Sequence, residues 1–499
     1  MQHALLFSVF VVASCGLAYE LIAAAQASYL LGDSVTQFST VIGAYLFAMG
    51  IGSWLSRYVE EPLIARFIQV ELLVGLLGGF SAVALFFVFA WAPAPFKLAL
   101  YLAVLAVGVL VGLEIPLIMR ILKSDLVFAD LVSRVLTFDY LGALAVSILF
   151  PLVLVPQLGL LRSGLLFGLL NVGVALWTCG LFRTQLAAYR SLRAQGLAAL
   201  AALLIAFAGA GALTAFGEAH LYSDEIVHAE STPYQRIVVT RWKDDLRLHL
   251  NNNLQFSSRD EYRYHEALVH PGLATLPHAR HALVLGGGDG LAVREILKYP
   301  QIESVTLVDL DPAMTRLFAS APALRRLNQD ALLSPKVKIV NADALQWLEE
   351  NDQLFDFVVV DFPDPANFAL GKLYTAAFYR LLDKHLAGDA LAVIQATSPL
   401  YARRSFWCIV TTLESVGLVS TPYHALVPSF GEWGFVLAGR RPYRLPEAYP
   451  VDTRFLTPSG TPALFVFPKD MARVEAEVNR LNSQVLVRYF EAEWRQVIR

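Results

Sequence analysis

The sequence predicts a multi-pass α-helical membrane domain, a small antiparallel β region and an α/β doubly wound domain, in that order. Three observations support this architecture. The 499 residues are 56% hydrophobic and only 16% charged, the apolar excess lies before residue 217, and a glycine-rich turn follows a short apolar run in the second half. We place the membrane domain at 1–216, the β region at 217–258, the α/β domain at 259–440 and a carboxyl-terminal extension with a helix at 441–499.

The first half contains seven apolar runs that are each long enough to cross a bilayer, which requires roughly 20 residues. They lie near residues 4–31, 36–56, 64–91, 97–120, 135–157, 160–182 and 196–216. The first run is not a cleavable signal peptide, because it is too long and further spans follow it. We therefore expect about seven transmembrane helices, a lipid bilayer as partner and a location in the inner cell membrane.

Lysine and arginine residues cluster in alternate loops between these runs. One set of loops carries Arg57, Arg66, Arg120, Lys123, Arg134, Arg183, Arg190 and Arg193, and the other carries only Lys97 and Arg162. Positive charge favours the cytoplasmic side. The loops alone would therefore place the amino terminus in the cytoplasm and, after seven crossings, the carboxyl-terminal half outside.

From residue 218 the composition becomes that of a soluble domain. The segments 235–240 and 246–250 have the composition of strands in a small antiparallel sheet, and three asparagines at 251–253 supply a turn. The net charge of -3 argues against a nucleic-acid partner. The three cysteines have the spacing of neither a disulfide framework nor a metal site, and we predict no metal.

Residues 281–311 form the unit around which the second half is organised. The apolar run 281–285 predicts a buried strand, three glycines begin at Gly286, and a second apolar run ends on Asp309. Strand, glycine turn, helix, strand and acid, in this order, are typical of a nucleotide-binding doubly wound sheet. The glycines permit close approach of the backbone to a ligand, and the acid can accept both ribose hydroxyls.

The alternation of strands and helices continues beyond this unit. Further apolar runs end near Asp343, on Asp361 and on Gln395. This order predicts a parallel sheet with ligands at the carboxyl ends of its strands. A helix-like run from Lys469 closes the chain, and we expect it to pack on this domain or on the membrane face.

Six separated motifs resemble those of the spermidine synthases, which are polyamine aminopropyltransferases. They are STPYQ at 231–235, LQFSSRDEYRYHE at 254–266, GGGDG at 286–290, VDLD at 308–311, NADA at 341–344 and DFPDP at 361–365. The resemblance covers about residues 225–440 and is closest to the membrane-integral branch of the family. It implies a Rossmann-like, methyltransferase-type fold and a homo-oligomer, a dimer in the family. It also implies transfer of an aminopropyl group from decarboxylated S-adenosylmethionine to a diamine such as putrescine, giving spermidine and methylthioadenosine.

Three aspartates take roles in this chemistry. Attack on the carbon next to sulfur requires a free amine lone pair, so a carboxylate must take the proton of the amine. By motif position Asp361 is this proton acceptor, and Asp364 helps to hold the amine. Asp289 would select the donor, because its charge repels the carboxylate of intact S-adenosylmethionine and attracts the ammonium of the decarboxylated form.

The motif positions also imply a donor-binding set and two residues over the amine pocket. The donor-binding residues are Gln235, Gly286, Gly288, Asp309, Asp343 and Ala344. The residues over the amine pocket are Tyr264 and His265. Asp309 stands where the family usually has glutamate, and Ala344 stands where it usually has glycine.

Three departures from the family pattern leave the acceptor open. Residues 366–372 replace a Gly-Pro-Ala segment that contacts the nucleoside. Ala396 and Thr397 stand where some members have a glutamate for the far ammonium of the diamine. Phe430 lies near the place where tyrosine is common. Putrescine is therefore only the default acceptor.

Two other classes of function stay open. One is another small-molecule transferase that uses an adenosyl sulfonium, which strong binding of intact S-adenosylmethionine would favour. The other is a polyamine transporter or scaffold with a degenerate nucleotide domain, although the retention of Asp289, Asp361 and Asp364 argues against decay. Because the family's donor is made in the cytoplasm, the resemblance implies a cytoplasmic catalytic domain, against the loop charges.

Four acids lie within or at the edges of the apolar runs, where an ionisable group costs roughly 3 kcal/mol on insertion scales. They are Glu20, Glu71, Glu114 and Asp139. A structural interpretation pairs them with Arg66, Arg120 and Arg134, or leaves them protonated and hydrogen-bonded. A functional interpretation has Glu114 and its acidic partners lining a cavity for a polyamine cation.

Overall fold

A computed structural model of the chain describes residues 2–31, 35–92, 94–123, 127–222 and 224–497. The chain divides into two compact units, Met1–Ile226 and Val227–Arg499. The first unit is helical, and the second has a mixed α/β structure built on its own core.

The first unit consists of long apolar helices. They are α1 (Gln2–Leu31), α2 (Val35–Leu55), α3 (Leu63–Trp91), α4 (Phe96–Leu122), α5 (Phe128–Leu149), α6 (Val155–Leu181) and α7 (Tyr189–Leu221). A π-helical turn, Phe150–Leu154, joins α5 to α6, so that Phe128–Leu181 is one continuous segment of 54 residues. A kink at Gly159, where φ is 73°, divides that segment between the fifth and sixth predicted runs. Within the described ranges, six continuous helical segments are thus long and apolar enough to cross a membrane.

Glycines allow α3 and α6 to approach closely. A Cβ atom on Gly75 would lie 2.8 Å from a Val172 side-chain carbon, and one on Gly79 would lie 3.1 Å from Gly168 Cα. Small residues at helix crossings are typical of helix packing in membranes. Rising residue numbers in α3 meet falling numbers in α6, so these two helices are antiparallel.

The contacts of α7 give its direction in the bundle. Gly196 packs on Leu176, while Gly211 lies close to Arg162, so α6 and α7 are antiparallel as well. Since both α3 and α7 run opposite to α6, they run in the same direction. The chain therefore leaves α7 at the end of the bundle where α3 ends, opposite the connection between α2 and α3.

Hydrogen bonds from neutral side chains reach an acid inside the bundle. Asn171 Nδ2 donates a hydrogen bond to Glu71 Oε2 at 2.7 Å, and Tyr19 Oη donates one to Asn171 Oδ1 at 2.8 Å. Glu71 and Glu114 are both almost completely buried. Of the two structural interpretations of the acids, hydrogen bonding rather than pairing with an arginine therefore fits Glu71.

Among the described residues, Arg66 and Arg120 make side-chain hydrogen bonds to groups other than the acids, so the structure favours the other alternative. Arg66 Nη1 donates to Gln69 Oε1 at 3.1 Å, and Arg120 Nη1 donates to the backbone oxygen of Ser56 at 2.7 Å. Both arginines lie near helix ends, whereas Glu71 and Glu114 are buried inside the bundle.

A four-stranded sheet follows the last long helix. Its strands, in order across the sheet, are β1 (Glu225–Ser231), β2 (Arg236–Trp242), β3 (Asp245–Leu250) and β4 (Asn253–Ser257). β2, β3 and β4 pair antiparallel. Asn251 and Asn252 make the turn before β4 with φ values of 48° and 66°, a left-handed conformation that asparagine tolerates well.

A seven-stranded sheet forms the centre of the second unit. Its strands are β5 (His281–Gly286), β6 (Ser304–Asp309), β7 (Val337–Asn341), β8 (Phe355–Asp361), β9 (Leu386–Gln395), β10 (Val419–Val427) and β11 (Gly431–Gly439). The order across the sheet is β10-β11-β9-β8-β5-β6-β7, and β5 to β9 are parallel, as predicted. The strand order reverses at β5, which is where doubly wound sheets bind ligands.

The strands β10 and β11 add an antiparallel edge that the predicted parallel sheet did not include. Residues 428–430 connect them, and so short a connection can join only antiparallel neighbours. In the pairing of β11 with β9, Phe435 lies opposite Gln395. The hairpin turn is thereby brought to the carboxyl end of β9.

Helices cover both faces of the seven-stranded sheet. They are α8 (Glu261–Leu273), α9 (Leu291–Leu297), α10 (Pro312–Ser320), α11 (Pro322–Leu327), α12 (Ala344–Glu350), α13 (Phe368–Gly371), α14 (Ala376–Lys384), α15 (Arg403–Glu414) and α16 (Val485–Val497). Alternate residues of β5 divide between the two faces: Ala282 and Val284 enter one core, and Leu283 and Leu285 enter the other. A strand that is buried on both faces, such as β5, therefore requires a continuous apolar run.

The carboxyl-terminal extension packs on the second unit itself. Its helix begins at Val485, not at Lys469 as predicted. Between these residues the chain passes α15, where Trp407 Nε1 donates to the backbone oxygen of Met471 at 3.0 Å. Carbonyl groups that a helix would pair internally are instead used to hold the chain against α15.

Candidate active site

The glycine turn after β5 lies against the ends of two neighbouring strands. Gly286 and Gly287 have φ values of 81° and 64°, which side-chain-bearing residues rarely adopt. A Cβ atom on Gly286 would lie 2.3 Å from the backbone oxygen of Asp361, and one on Gly288 would lie 2.6 Å from Asp309 Oδ2. Only glycine lets the ends of β6 and β8 come this close to the turn.

Two backbone amides fix Asp309 at the end of β6. Its Oδ2 accepts a hydrogen bond from Gly288 N at 3.0 Å, and its Oδ1 accepts one from Asp311 N at 2.9 Å. Burial raises the pKa of Asp309 to about 6, and the two N–H groups oppose that rise. The carboxylate is oriented before any ligand arrives, at the edge where doubly wound sheets hold a ribose.

Gln235 reaches the same edge from the segment before β2. Its Nε2 donates to Asp311 Oδ2 at 3.0 Å, and Thr232 Oγ1 donates to the same oxygen at 2.8 Å. Asp311 also caps α10 by accepting a hydrogen bond from Ala313 N. Gln235 is thus tied to Asp311, two residues after Asp309 at the end of β6.

Asp343 and Ala344 begin α12, which follows the next strand of the sheet. Asp343 Oδ1 caps that helix by accepting from Leu345 N at 2.9 Å, and Lys372 Nζ donates to Asp343 Oδ2 at 2.6 Å. Burial alone would raise the pKa of Asp343, but the hydrogen bond and charge of Lys372 outweigh it and the pKa is lowered. Lys372 ends the divergent segment 366–372, which therefore places a cation beside the acid.

Asp361, the last residue of β8, accepts a hydrogen bond from Tyr264 of α8. Tyr264 Oη lies 2.6 Å from Asp361 Oδ1. Burial raises the pKa of Asp361 to about 6; the charge of His265 opposes the rise and that of Asp289 adds to it. A carboxylate with a pKa this close to neutrality is suited to accept a proton and release it again.

Asp364 lies in the loop after β8, against the end of β9. Its Oδ2 accepts from Thr397 Oγ1 at 3.3 Å, and its Oδ1 lies 3.5 Å from Gln395 Nε2. Gln395 is itself held by two aromatic side chains, donating to Tyr374 Oη at 2.8 Å and accepting from Trp433 Nε1 at 3.2 Å. Burial raises the pKa of Asp364 to about 7, although both of its hydrogen bonds oppose the rise.

Asp289 lies within the glycine turn and interacts with His265 of α8. Asp289 Oδ1 accepts a hydrogen bond from Leu291 N at 2.9 Å. Burial raises the pKa of Asp289, and the charge of His265 opposes that rise. His265 is itself buried, and its Nδ1 lies 2.8 Å from Glu261 Oε2.

Aromatic rings surround the Tyr264 side chain. The ring centroids of Phe435 and Phe430 lie 5.3 Å and 6.4 Å from that of Tyr264, and Trp433 lies 5.2 Å from Phe430. Phe430 preserves an aromatic surface where the family commonly has tyrosine, but it cannot donate a hydrogen bond. Since cations bind favourably to aromatic faces, these rings suit an amine ligand.

The structure gathers the predicted site residues at one edge of the sheet and adds three that sequence reasoning did not assign. These are Glu261, Lys372 and Gln395. Gln395 could have been found, because it ends a strand just as Asp361 does, and Glu261 precedes His265 by one helical turn. Lys372 carries no such signal, because its position depends on the path of the loop through α13.

Comparison with known proteins identifies the family. A family model described as the spermine/spermidine synthase domain matches residues 261–444. Polyamine aminopropyltransferase 2 of Ralstonia nicotianae is 62% identical over 504 residues, covering 99% of this chain and 99% of the relative. The chain belongs to the spermine/spermidine synthase family.

A second relative, the polyamine aminopropyltransferase of Leptospira interrogans, is 53% identical over 498 residues, and the match covers 100% of both chains. Among solved structures, the spermidine synthase from Thermotoga maritima has 21% identity and a TM-score of 0.46, covering 50% of this chain and 87% of that one. The full-length relatives confirm the predicted family and, with it, the predicted class of enzyme, an aminopropyltransferase.

Proposed function

We propose that this chain transfers the aminopropyl group of decarboxylated S-adenosylmethionine to putrescine, giving spermidine and methylthioadenosine. The observation that carries the proposal is the set of three carboxylates at the glycine-turn edge, Asp289, Asp361 and Asp364, one of which is hydrogen-bonded to Tyr264. The relatives that match along the full chain are named polyamine aminopropyltransferases, which supports the same reaction here.

The nucleoside of the donor would lie along the carboxyl ends of β5, β6 and β7. Asp309 accepts the ribose hydroxyls, while Gln235, Asp343 and Ala344 border the base. Asp289 then pairs with the ammonium of the donor's aminopropyl arm. Intact S-adenosylmethionine carries a carboxylate on that arm, so the charge of Asp289 discriminates against it.

Asp361 takes the proton that the acceptor amine must lose. The amine nitrogen forms a bond to the carbon next to sulfur, and the carbon–sulfur bond breaks with its electron pair remaining on sulfur. Methylthioadenosine therefore leaves as a neutral thioether, and the nitrogen's proton passes to Asp361, which Tyr264 orients. Alignment of nitrogen, carbon and sulfur in line supplies much of the remaining acceleration.

The acceptor pocket differs from that of family members with a second acidic anchor. Thr397 stands at that place and donates to Asp364, so one carboxylate remains to hold an ammonium group there. Phe430 and Trp433 provide aromatic faces for the methylene chain and the far amine. This arrangement favours an acceptor with few charges, such as a short diamine.

The helical unit would anchor the enzyme in the inner membrane, with the catalytic unit in the cytoplasm. The six long apolar segments support insertion. Large apolar side chains such as Leu46, Phe47 and Trp54 are exposed on the helical unit and would find lipid as a partner. Placement in the cytoplasm follows from where the family's donor is made.

The test is an assay of methylthioadenosine release by the purified full chain, with decarboxylated S-adenosylmethionine and diamines of different length. We expect the highest kcat/KM with putrescine and no turnover with intact S-adenosylmethionine. Asp361→Asn should lower kcat by roughly 100-fold or more while donor affinity changes little, because the variant lacks the proton acceptor. Near-full turnover by this variant, with chemistry rate-limiting, would mean that another group is the base.

A further inference from the structure

A chain of buried charged side chains runs from the candidate site through α8 and α9. Arg294 binds Glu261 with two hydrogen bonds, from Nη1 to Oε1 at 2.8 Å and from Nη2 to Oε2 at 2.9 Å. Arg294 Nε donates to Glu295 Oε1 at 2.9 Å, and His270 Nε2 lies 2.7 Å from Glu295 Oε2. The side chains of Glu261, Arg294 and Glu295 are each less than 10% exposed.

The hydrogen bonds of His265 orient its ring and show that Nδ1 carries a hydrogen. Nδ1 lies 2.8 Å from the backbone oxygen of Glu261 and 2.8 Å from Glu261 Oε2. Both oxygens can only accept when the Glu261 carboxyl is ionised, as its two bonds from Arg294 require, so Nδ1 carries the hydrogen. The ring centroid of His265 lies 5.0 Å from that of Tyr264, whose Oη is 2.6 Å from Asp361 Oδ1, and the charges of Asp289 and Asp361 act on the His265 ring.

The charged groups that act on His265 come from α8, α9, the glycine turn and the end of β8. Its own helix α8 supplies Glu261, and α9 supplies Arg294, which acts on the ring through Glu261. The glycine turn supplies Asp289 and the end of β8 supplies Asp361. The strands β10 and β11, which also pack against α8, contribute the neutral rings of Tyr423 and Phe435, which stack with centroids 5.3 Å apart.

We propose that Glu261, held in place by Arg294, is a positioning residue that keeps His265 as an oriented imidazolium beside Asp289 and Asp361. The imidazolium offsets the mutual repulsion of the two carboxylates, so that both are ionised when cationic substrates arrive. The inference rests on the proposed aminopropyl transfer for its effect on turnover, but the state of the histidine is a property of the free protein.

Electrostatic effects on the neighbouring groups agree with this geometry. Burial alone would lower the pKa of His265, but the hydrogen bond and charge of Glu261 outweigh it, and the pKa is raised. In turn, His265 opposes the burial that raises the pKa of Asp361 to about 6. Loss of the positive charge on His265 should therefore raise the pKa of Asp361 further.

The first measurement follows the histidine directly, in the ligand-free full chain. Selective labelling of histidine and NMR titration should show a resonance, assigned by its absence in His265→Gln, whose midpoint falls by about one pH unit in Glu261→Gln. The matched control is Glu266→Gln, which removes another buried carboxylate of α8. Glu266 accepts hydrogen bonds from the backbone N–H groups of Arg454, Phe455 and Leu456 and should leave the midpoint unchanged.

The second measurement is the pH profile of kcat/KM. In Glu261→Gln the steeper part of the acid limb, which Asp361 sets, should move to higher pH by about one unit, because the positive charge of His265 near Asp361 is lost. In Glu266→Gln the acid limb should stay where it is in the parent. In a His265→Gln background, adding Glu261→Gln should move the limb no further. If Glu261→Gln alone does not fold, the double variant Glu261→Gln with Arg294→Gln removes both charges of the pair and should show the same shifts.

The outcomes separate the inference from the proposed reaction. An unchanged His265 midpoint in Glu261→Gln would overturn the inference whatever reaction the enzyme catalyses. The inference would also be overturned if adding Glu261→Gln to His265→Gln moved the acid limb of the kcat/KM profile by a further unit or so. Glu261 would then act independently of the histidine. A lowered midpoint in a protein that releases no methylthioadenosine would support the inference and contradict the proposed function.

Discussion

At the scale of single residues, the proposed roles of Asp361 and Asp364 predict how activity depends on pH. In those roles Asp361 is ionised to accept a proton and Asp364 is ionised to attract an ammonium group, whereas burial raises their pKa values to about 6 and about 7. We expect kcat/KM to fall about tenfold per pH unit below about 7 and about a hundredfold per unit below about 6. A profile that stays flat down to pH 5 would show that these carboxyls do not have these roles.

Asp364 also links the site to stability, because burial raises its pKa in the folded chain. The pKa of Asp364 in the folded chain is about 7, against an ordinary 3.8, so between about pH 4 and 7 the folded state holds a proton that the unfolded state has lost. The stability contribution of Asp364 therefore falls as pH rises through that window. We expect Asp364→Asn to unfold at a higher temperature than the parent at pH 8 and at the same temperature below about pH 4.

Asp343 provides the control for this effect. Lys372 holds its pKa below the ordinary value, so its carboxylate stabilises the fold above that value and the contribution is lost as pH falls. Asp343→Asn should therefore lower the unfolding temperature at pH 8. Thermal melts across the pH range check both variants, and shifts of the same sign in the two would contradict this explanation.

The acids at the strand ends were the part of the site that the sequence could predict. Asp309, Asp343 and Asp361 were predictable because each follows an apolar run, and the carboxyl ends of parallel strands meet at one edge. The partners of these acids were not predictable in the same way. The contact between Lys372 and Asp343, for example, joins residues whose distance depends on loop geometry.

At the scale of elements, the glycine turn is the part of the fold that tolerates change least. A Cβ on Gly288 would meet Asp309 Oδ2 at 2.6 Å and displace the carboxylate that the Gly288 amide also binds. We expect Gly288→Ala to weaken methylthioadenosine binding by about tenfold or more, since roughly 1.4 kcal/mol corresponds to one decade of affinity.

Gly388 of β9 is the matched control for this substitution. It is exposed, and nothing lies within 4 Å of the Cβ position it would gain. Calorimetric titration with methylthioadenosine should therefore give the parent affinity for Gly388→Ala. Equal binding by both alanine variants would contradict the close packing of the turn on Asp309.

Elements whose direction depends on distant partners were less predictable than the parallel strands. The run that forms β5 predicts a doubly buried strand from composition alone. By contrast, β10 and β11 add an antiparallel edge whose direction becomes clear only from their three-residue connection. The helix expected from Lys469 begins at Val485, because contacts with α15 hold the intervening backbone in another path.

At the scale of the whole molecule, composition predicts two unlike parts, and the chain divides near the point where the apolar excess stops. Sequence could not decide how the helices pair, because an apolar helix carries little information about which neighbour it meets. The polar contacts inside the bundle come from side chains far apart in sequence, such as Tyr19, Glu71 and Asn171.

For the proposed membrane insertion, two physical considerations disagree about the side that the catalytic unit would face. The arginine-rich loops favour an outer location after seven crossings, whereas the source of the donor favours the cytoplasm. Helix directions add a constraint: α7 runs parallel to α3, so the chain leaves α7 at the end of the bundle opposite the connection between α2 and α3. For the proposed membrane insertion, the start of the catalytic unit and that connection would therefore lie on opposite sides of the membrane.

Two fusions to a phosphatase that is active only in the periplasm test this arrangement. If the catalytic unit lies in the cytoplasm as proposed, we expect an inactive phosphatase when it is fused at the carboxyl terminus and an active one when it is inserted at residues 59–61. Each fusion is the control for the other, since both proteins must insert for the pair to differ. The reverse pattern would place the catalytic unit outside, as the loop charges favour, and equal activity in both fusions would contradict the parallel course of α3 and α7.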